Sequence, residues 1–280
     1  MLSYRHAYHA GNHADLLKHL ILVRCLRYLR RKEKPLCYVD THAAAGGYSL
    51  LADEPQKRCE YQSGIEKIWQ QDDLPESVAD YRNLVAEYNP QNSLSRYPGS
   101  PWLAAKILSK QDTLWLHELH ANEAENLKTT FNHDRRIKVV EGDGYQGAVA
   151  LMPPPQRRGL ILIDPSYEIK SDYQQVVETL QKLHSRFATG VFALWYPVVE
   201  RQRIDRLEKA LRCSGIQRIN LYELSIKPDH SDYGMTGSGM IIINPPWGLQ
   251  QEMPQALPYL ARQLGEADSG HYRIETLVGE

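Results

Sequence analysis

Gly159-Leu160-Ile161-Leu162-Ile163-Asp164-Pro165-Ser166-Tyr167 is an unbroken apolar run that stops at an acid, a proline and an aromatic residue. A short run without polar alternation marks a strand buried on both faces, as in a parallel sheet covered by helices. Working outward, further strands are predicted at Leu36-Cys37-Tyr38-Val39, Thr113 to Glu118, Ile137 to Glu141, Val191 to Trp195, Arg218 to Tyr222 and Met240 to Ile243. Helical patterns fall between most of them, among them Asp172 to His184 and Glu200 to Cys213. This alternation predicts an α/β fold with an open, mostly parallel, doubly wound sheet. In such a sheet ligands bind beyond the carboxyl ends of the strands.

Before the first strand, Leu16, Leu17, Leu20, Ile21 and Leu26 recur at helical spacing, with Asp15 as the expected cap and Pro35 as the stop. From about Leu51 to Pro98 the pattern changes to polar helical stretches, Ser63 to Gln71 and Glu76 to Glu87, with no convincing strand between them. We read residues 51–97 as an inserted helical subdomain, and residues 1–50 and 98–280 as the main domain. The turn-rich piece Tyr97-Pro98-Gly99-Ser100-Pro101 closes the insertion.

The ends of the predicted parallel strands carry acids in chain order. The first stops at Asp40 before the small-residue loop Thr41-His42-Ala43-Ala44-Ala45-Gly46-Gly47; the second ends in Glu118, the third leads to Asp143-Gly144, and the fourth meets Asp164-Pro165. A small-residue turn lets a ligand approach the backbone, an acid after the second strand accepts from ribose hydroxyls, and one after the third accepts from an adenine amino group. Strand-end acids are commonly no more than helix caps, but a series of four points to a nucleoside site. The loop lacks the GxGxxG that seats a pyrophosphate. A cofactor without phosphate, S-adenosylmethionine, therefore fits better than a dinucleotide.

Asp164-Pro165-Ser166-Tyr167 carries the expected reaction. An exocyclic adenine amine is a weak nucleophile because its lone pair is delocalised into the ring. The Asp164 carboxylate and the Pro165 carbonyl can hold its protons, and Tyr167 can stack on the base. Transfer then needs in-line positioning of a base that has left its helical stack. A rival, Asn244-Pro245-Pro246-Trp247, follows Met240 to Ile243. We expect that strand to run antiparallel, pointing the rival away from the cofactor edge as a strand-ending turn with a packed tryptophan.

The rest of the chain narrows the choice by exclusion. A net charge of −1 does not announce a nucleic-acid binder. Two basic clusters, Arg24 to Lys34 and Arg201 to Arg212, fit either phosphate contacts or solvated helix faces. Cys25, Cys37, Cys59 and Cys213 form no CxxC pair, so neither a zinc knuckle nor a disulfide framework is expected. His9 and His13 are four apart but complete no metal set, and no metal is expected; His6, His9 and His13 read instead as a polar lip over the site. With no apolar run long enough to span a membrane and no signal-like start, the expectation is a cytoplasmic protein.

Several motifs occur together across the chain: Tyr4-Arg5-His6, His9 to Asp15, Asp40-Thr41-His42-Ala43, Tyr97 to Pro101, Glu118-Leu119-His120, Asp143-Gly144, Ile163-Asp164-Pro165, Ala193 to Pro197 and Gly239-Met240. In this combination the chain resembles the RlmJ-type large-subunit ribosomal RNA adenine-N6 methyltransferases over essentially its whole length. The resemblance implies a class I (Rossmann-like) methyltransferase sheet with a helical insertion, acting as a monomer on protein-free 23S ribosomal RNA. It implies that Lys18, His19, His42, Ser100, Glu118, Asp143, Gly144 and Asp164 surround S-adenosylmethionine. Asp164 would be the catalytic acceptor, with Tyr4, Pro165 and Tyr167 meeting the substrate. The chain departs from the family at Ala44, usually glycine, and at Ser166, usually proline. DNA, a protein amide or a non-catalytic RNA-binding role remain as alternatives.

Overall fold

The computed structural model of the chain describes residues 5–91, 93–229 and 234–280, so Tyr4 lies outside the described residues. The strands of the main sheet are β1 (Cys37–Asp40), β4 (Thr113–Glu118), β5 (Ile137–Glu141), β6 (Gly159–Ile163), β7 (Val191–Val198), β8 (Ile219–Ser225), β9 (Gly237–Ile243) and β10 (His271–Val278). Two short strands, β2 (Gly47–Ser49) and β3 (Arg96–Pro98), pair separately as an antiparallel ribbon. The helices are α1 (His13–Arg30), α2 (Asp53–Arg58), α3 (Glu66–Trp69), α4 (Glu76–Glu87), α5 (Ser100–Ile107), α6 (Ala121–Thr130), α7 (Gly144–Ala150), α8 (Asp172–Arg186), α9 (Arg201–Arg212) and α10 (Trp247–Leu264).

The sheet order is β10-β8-β9-β7-β6-β1-β4-β5. From β5 to β7 the five strands are parallel, and β9 is antiparallel to both β7 and β8. This is the expected Rossmann-like, doubly wound sheet. Side chains alternate between two covered faces. Tyr38, Leu160, Leu162 and Ala193 pack into one cluster with α1, α5 and α10; Val39, Ile161, Ile163 and Leu194 pack into the other with α7, α8 and α9. Because both faces are buried, neither shows the polar alternation of a half-solvated strand. Each fully buried Leu or Ile contributes about 1.5–3 kcal/mol.

Four sequence expectations need correction. The first helix starts at His13, not near Asp15: Asn12 is the cap, its side-chain oxygen accepting from the amides of Ala14 and Asp15 at 3.0 Å. The helix also ends at Arg30, short of Pro35. A strand was overlooked at β10, whose charged, half-exposed edge pattern lacks an apolar run. The ribbon β2–β3 was overlooked as well, its strands being three residues each. Between those strands, residues of the 51–97 stretch such as Ile65, Ile68, Tyr81 and Val85 share the apolar cluster of α1.

Candidate active site

The carboxyl ends of β1, β4, β5 and β6 meet at one edge of the sheet. All eight residues expected around a cofactor line a single cavity there, of about 720 Å³. Asp40 lies beneath its floor, fully buried, and accepts from the hydroxyls of Tyr38 (2.8 Å) and Ser100 (2.7 Å) and from the amide of His42. Burial pushes its carboxyl up to about 6, against the opposing pull of the two hydroxyls. Ser100 therefore spends its hydroxyl donation on the floor. Above it, Ala44 adopts a left-handed backbone, φ +48°, which turns its amide onto Glu118 Oε2 at 2.8 Å. His120 donates its amide to Glu118 Oε1 at 2.8 Å, so the carboxylate is fixed from both sides and keeps spare lone pairs toward the cavity.

Asp143 does what a strand-end acid commonly does. It caps α7, accepting from the amides of Tyr145 (2.8 Å) and Gln146 (3.2 Å), and it still faces the cavity. Gly144 follows because the chain passes so close to β1 that an added Cβ would lie 1.9 Å from the Thr41 carbonyl oxygen. Two histidines complete the wall. Burial lowers His42 to about 4 and His19 to about 3, so both are neutral near pH 7. His19 Nδ1 is 2.9 Å from the Tyr97 hydroxyl, itself 2.6 Å from that of Tyr81.

Asp164 stands where this cavity meets a second one of about 470 Å³; both are lined by Lys18, Asp164, Ser166 and Trp195. Lys18 Nζ donates to Asp164 Oδ2 at 2.6 Å, which leaves Oδ1 as the oxygen for another donor. Pro165 borders the first cavity and Tyr167 the second. Tyr167 is more enclosed than a free stacking residue would be. Its hydroxyl donates to the Trp195 carbonyl at 2.8 Å, and its ring lies 4.6 Å from that of Tyr173. Its φ of +54° is a strained value for an aromatic residue and bends the chain sharply beside Asp164.

The rival motif lies elsewhere. Ile243 pairs with Phe192 at the amino end of β7, and the Asn244 side chain donates to the carbonyls of Ala188 and Gly190, both at 2.8 Å. It is a strand-ending turn on the opposite edge, as expected. Trp247 is not packed but 62% exposed.

His6, read from sequence as part of a polar lip, lines both cavities, whereas sequence reasoning left Trp195 without a role. Trp195 had a legible signal: it sits in a parallel strand at the level of Asp164, since Ile163 pairs with Leu194. His9 meets Glu60 at 2.9 Å, and no group among the described residues gathers three ligands for a metal ion.

The donor set tests which nucleoside fits. Glu118, Asp143 and Asp164 face the first cavity, and no glycine-rich turn there aims consecutive amides at a phosphate. Carboxylates repel a pyrophosphate and favour a cationic sulfonium. A Rossmann-like sheet with an acidic cleft at its carboxyl edge is the architecture of a class I methyltransferase. Residues 33–278 match the family model described as "Ribosomal RNA large subunit methyltransferase D, RlmJ", and the chain belongs to that family. It is 49% identical over its full length, and that of the relative, to Ribosomal RNA large subunit methyltransferase J of Escherichia coli K12. It is 44% identical, again over both full lengths, to the protein of that name from Haemophilus influenzae. Its fold matches a crystal structure of protein LPL1258 from Legionella pneumophila with TM-score 0.89 and 37% identity, covering 96% of this chain and 98% of that one.

Proposed function

We propose that this chain transfers the methyl group of S-adenosylmethionine to the N6 amino group of an adenine in protein-free 23S ribosomal RNA. Family membership supports the reaction class. The observation that carries the atomic reading is the place of Asp164, between two cavities with one oxygen held by Lys18 and the other unclaimed by that lysine.

In this reading the larger cavity takes the cofactor. Glu118 holds the ribose hydroxyls, Asp143 the adenine amine, and the loop at Ala44 and Gly144 gives way to the nucleoside. Bound there, the cofactor supplies an electrophilic methyl on a cationic sulfur. The smaller cavity takes the flipped target base, with Tyr167 as its aromatic wall. Asp164 Oδ1 and the Pro165 carbonyl accept hydrogen bonds from the two amino N–H groups, which draws the nitrogen toward the pyramidal form the reaction needs. Fixed acceptors cost no reorganisation as positive charge develops on that nitrogen.

Beside the smaller cavity, the basic surface that fits RNA lies on α9 rather than on the Arg24–Arg27 part of α1. Arg24 is held by Glu252 (2.6 Å) and Asp80 (2.7 Å), and Arg27 by Asp80 (3.0 Å). On α9, Arg203 borders the smaller cavity, and Arg206 and Lys209 are exposed beyond it. By its resemblance to the family we read the chain as a monomer working in the cytoplasm. We read 51–97 as an insertion that covers α1.

The test is incubation with methyl-labelled cofactor and, in parallel, protein-free 23S RNA, duplex DNA and a protein mixture. Label is expected in RNA alone, recovered as N6-methyladenosine after digestion. Label in protein, in DNA or at another atom overturns the proposal.

A further inference from the structure

Lys18 does not serve Asp164 alone. Its Nζ also lies 2.9 Å from Asp15 Oδ1, and both side chains are almost wholly buried. Asp15 is anchored in turn: its Oδ2 accepts from the Gly11 amide at 2.9 Å and lies 3.0 Å from His6 Nε2. Burial works against this carboxylate, yet His6, Lys18 and His19 outweigh it and hold the group well below the usual range. A buried lysine carries four flexible torsions, and ordering it costs side-chain entropy. Asp164 by itself offers that ammonium one short contact. A second buried carboxylate, one helical turn back on α1, fixes the direction from which the lysine reaches the reaction centre.

We propose that Asp15 is a positioning residue: it braces Lys18, and Lys18 in turn sets the rotation of the Asp164 carboxylate so that Oδ1 faces the target amine. This rests on the reading of Asp164 given above. The brace also sets the local charge. Two carboxylates around one ammonium leave a net negative charge beside the place where positive charge passes from sulfur to nitrogen. Removing the Asp15 charge takes away the buried carboxylate that holds Lys18 from the α1 side, so its pull on the Asp164 carboxylate changes direction. A displacement of about 1 Å at a reacting group costs about 100-fold in rate.

The experiment is a double-mutant cycle on the full chain with Asp15→Asn, Lys18→Met and their combination, with Asp164→Asn as reference. Methyl-transfer kcat, KM for RNA, cofactor Kd and Tm are measured for each. Asp15→Asn keeps an acceptor for the Gly11 amide, and it should lower kcat about 10- to 100-fold with KM and cofactor Kd within about twofold. The double variant should be no slower than Lys18→Met, because Asp15 acts through that lysine. Wild-type kcat in Asp15→Asn, multiplying losses in the double variant, or parallel loss of cofactor binding and Tm would each overturn the brace. Should Asp15→Asn not fold, Asp15→Ser enters the same cycle. Activity retained by Asp164→Asn would instead overturn the reading of Asp164, so the two failures are distinguishable.

Discussion

Gly144→Ala is the sharpest structural perturbation of the cofactor edge. The added methyl would sit 1.9 Å from the Thr41 carbonyl oxygen and 2.6 Å from the carbonyl carbon, where ordinary contact begins near 3.4 Å. About 1.5 Å must be found, and backbone rather than a flexible side chain stands in the way. Thr41 cannot easily yield, because its amide and hydroxyl both donate to the Leu162 carbonyl at 3.1 Å. The start of α7 must therefore move outward and take its cap, Asp143, with it. Overpacking of this kind costs about 1–3 kcal/mol, which at about 2–4 °C per kcal/mol lowers Tm by roughly 2–12 °C. Displacing Asp143 should raise the cofactor Kd about 10- to 100-fold, equivalent to about 1.4–2.7 kcal/mol of binding energy. Calorimetric titration with S-adenosylhomocysteine and a thermal melt measure both. Unchanged cofactor Kd and Tm would refute the claim that this close approach builds the site.

Two further outcomes follow from the same edge and its buried histidines. Ala44→Gly relieves a left-handed alanine at about 1–2 kcal/mol and loses part of that to a freer unfolded chain; a net gain of about 0.5–1 kcal/mol in urea denaturation is expected, and a loss would show that Ala44 packs usefully. Acid should weaken the fold: burial lowers His13 and His42 to about 4 and His19 to about 3 from an ordinary 6.5, so each binds fewer protons folded than unfolded. Their stability is full above pH 6.5 and is lost as pH falls toward 4. Asp40, raised from 3.8 to about 6, runs the other way, its contribution being lost as pH rises through 6. Unfolding near pH 5 therefore takes up about two protons net, on the order of 2–3 kcal/mol per pH unit. Urea midpoints at pH 7 and pH 5 check this, and a midpoint that does not fall would contradict it.

How much of this was legible depended on whether the signal was local. Apolar runs such as Leu160 to Ile163 announced the parallel strands because burial on both faces leaves no alternation to misread. The acids at strand ends could be placed at one edge because parallel strands share a direction. Asn244 could be set aside for the same reason, since β9 runs the other way. What stayed hidden depends on distant contacts. The pairing of Arg24 with Glu252 across 228 positions takes Arg24 out of the seemingly basic cluster. Asp15 looked like a cap because its spacing suits one; that Asn12 takes that place, freeing Asp15 to meet Lys18, is visible only once Gly11 and His6 are folded over it. The edge strand β10 escaped because half-exposed strands tolerate charge, and its pairing with β8 is what fixes it.

The central claim is that Asp164 holds an adenine amine for methyl transfer in ribosomal RNA. Its most direct test is mass analysis of nucleosides from 23S RNA of cells lacking this chain, complemented with the wild type or with Asp164→Ala. The account predicts that N6-methyladenosine is restored by the wild type and not by Asp164→Ala, while the purified variant still binds S-adenosylhomocysteine with near-wild-type affinity. Restoration by Asp164→Ala, or no change in N6-methyladenosine when the chain is absent, would contradict it.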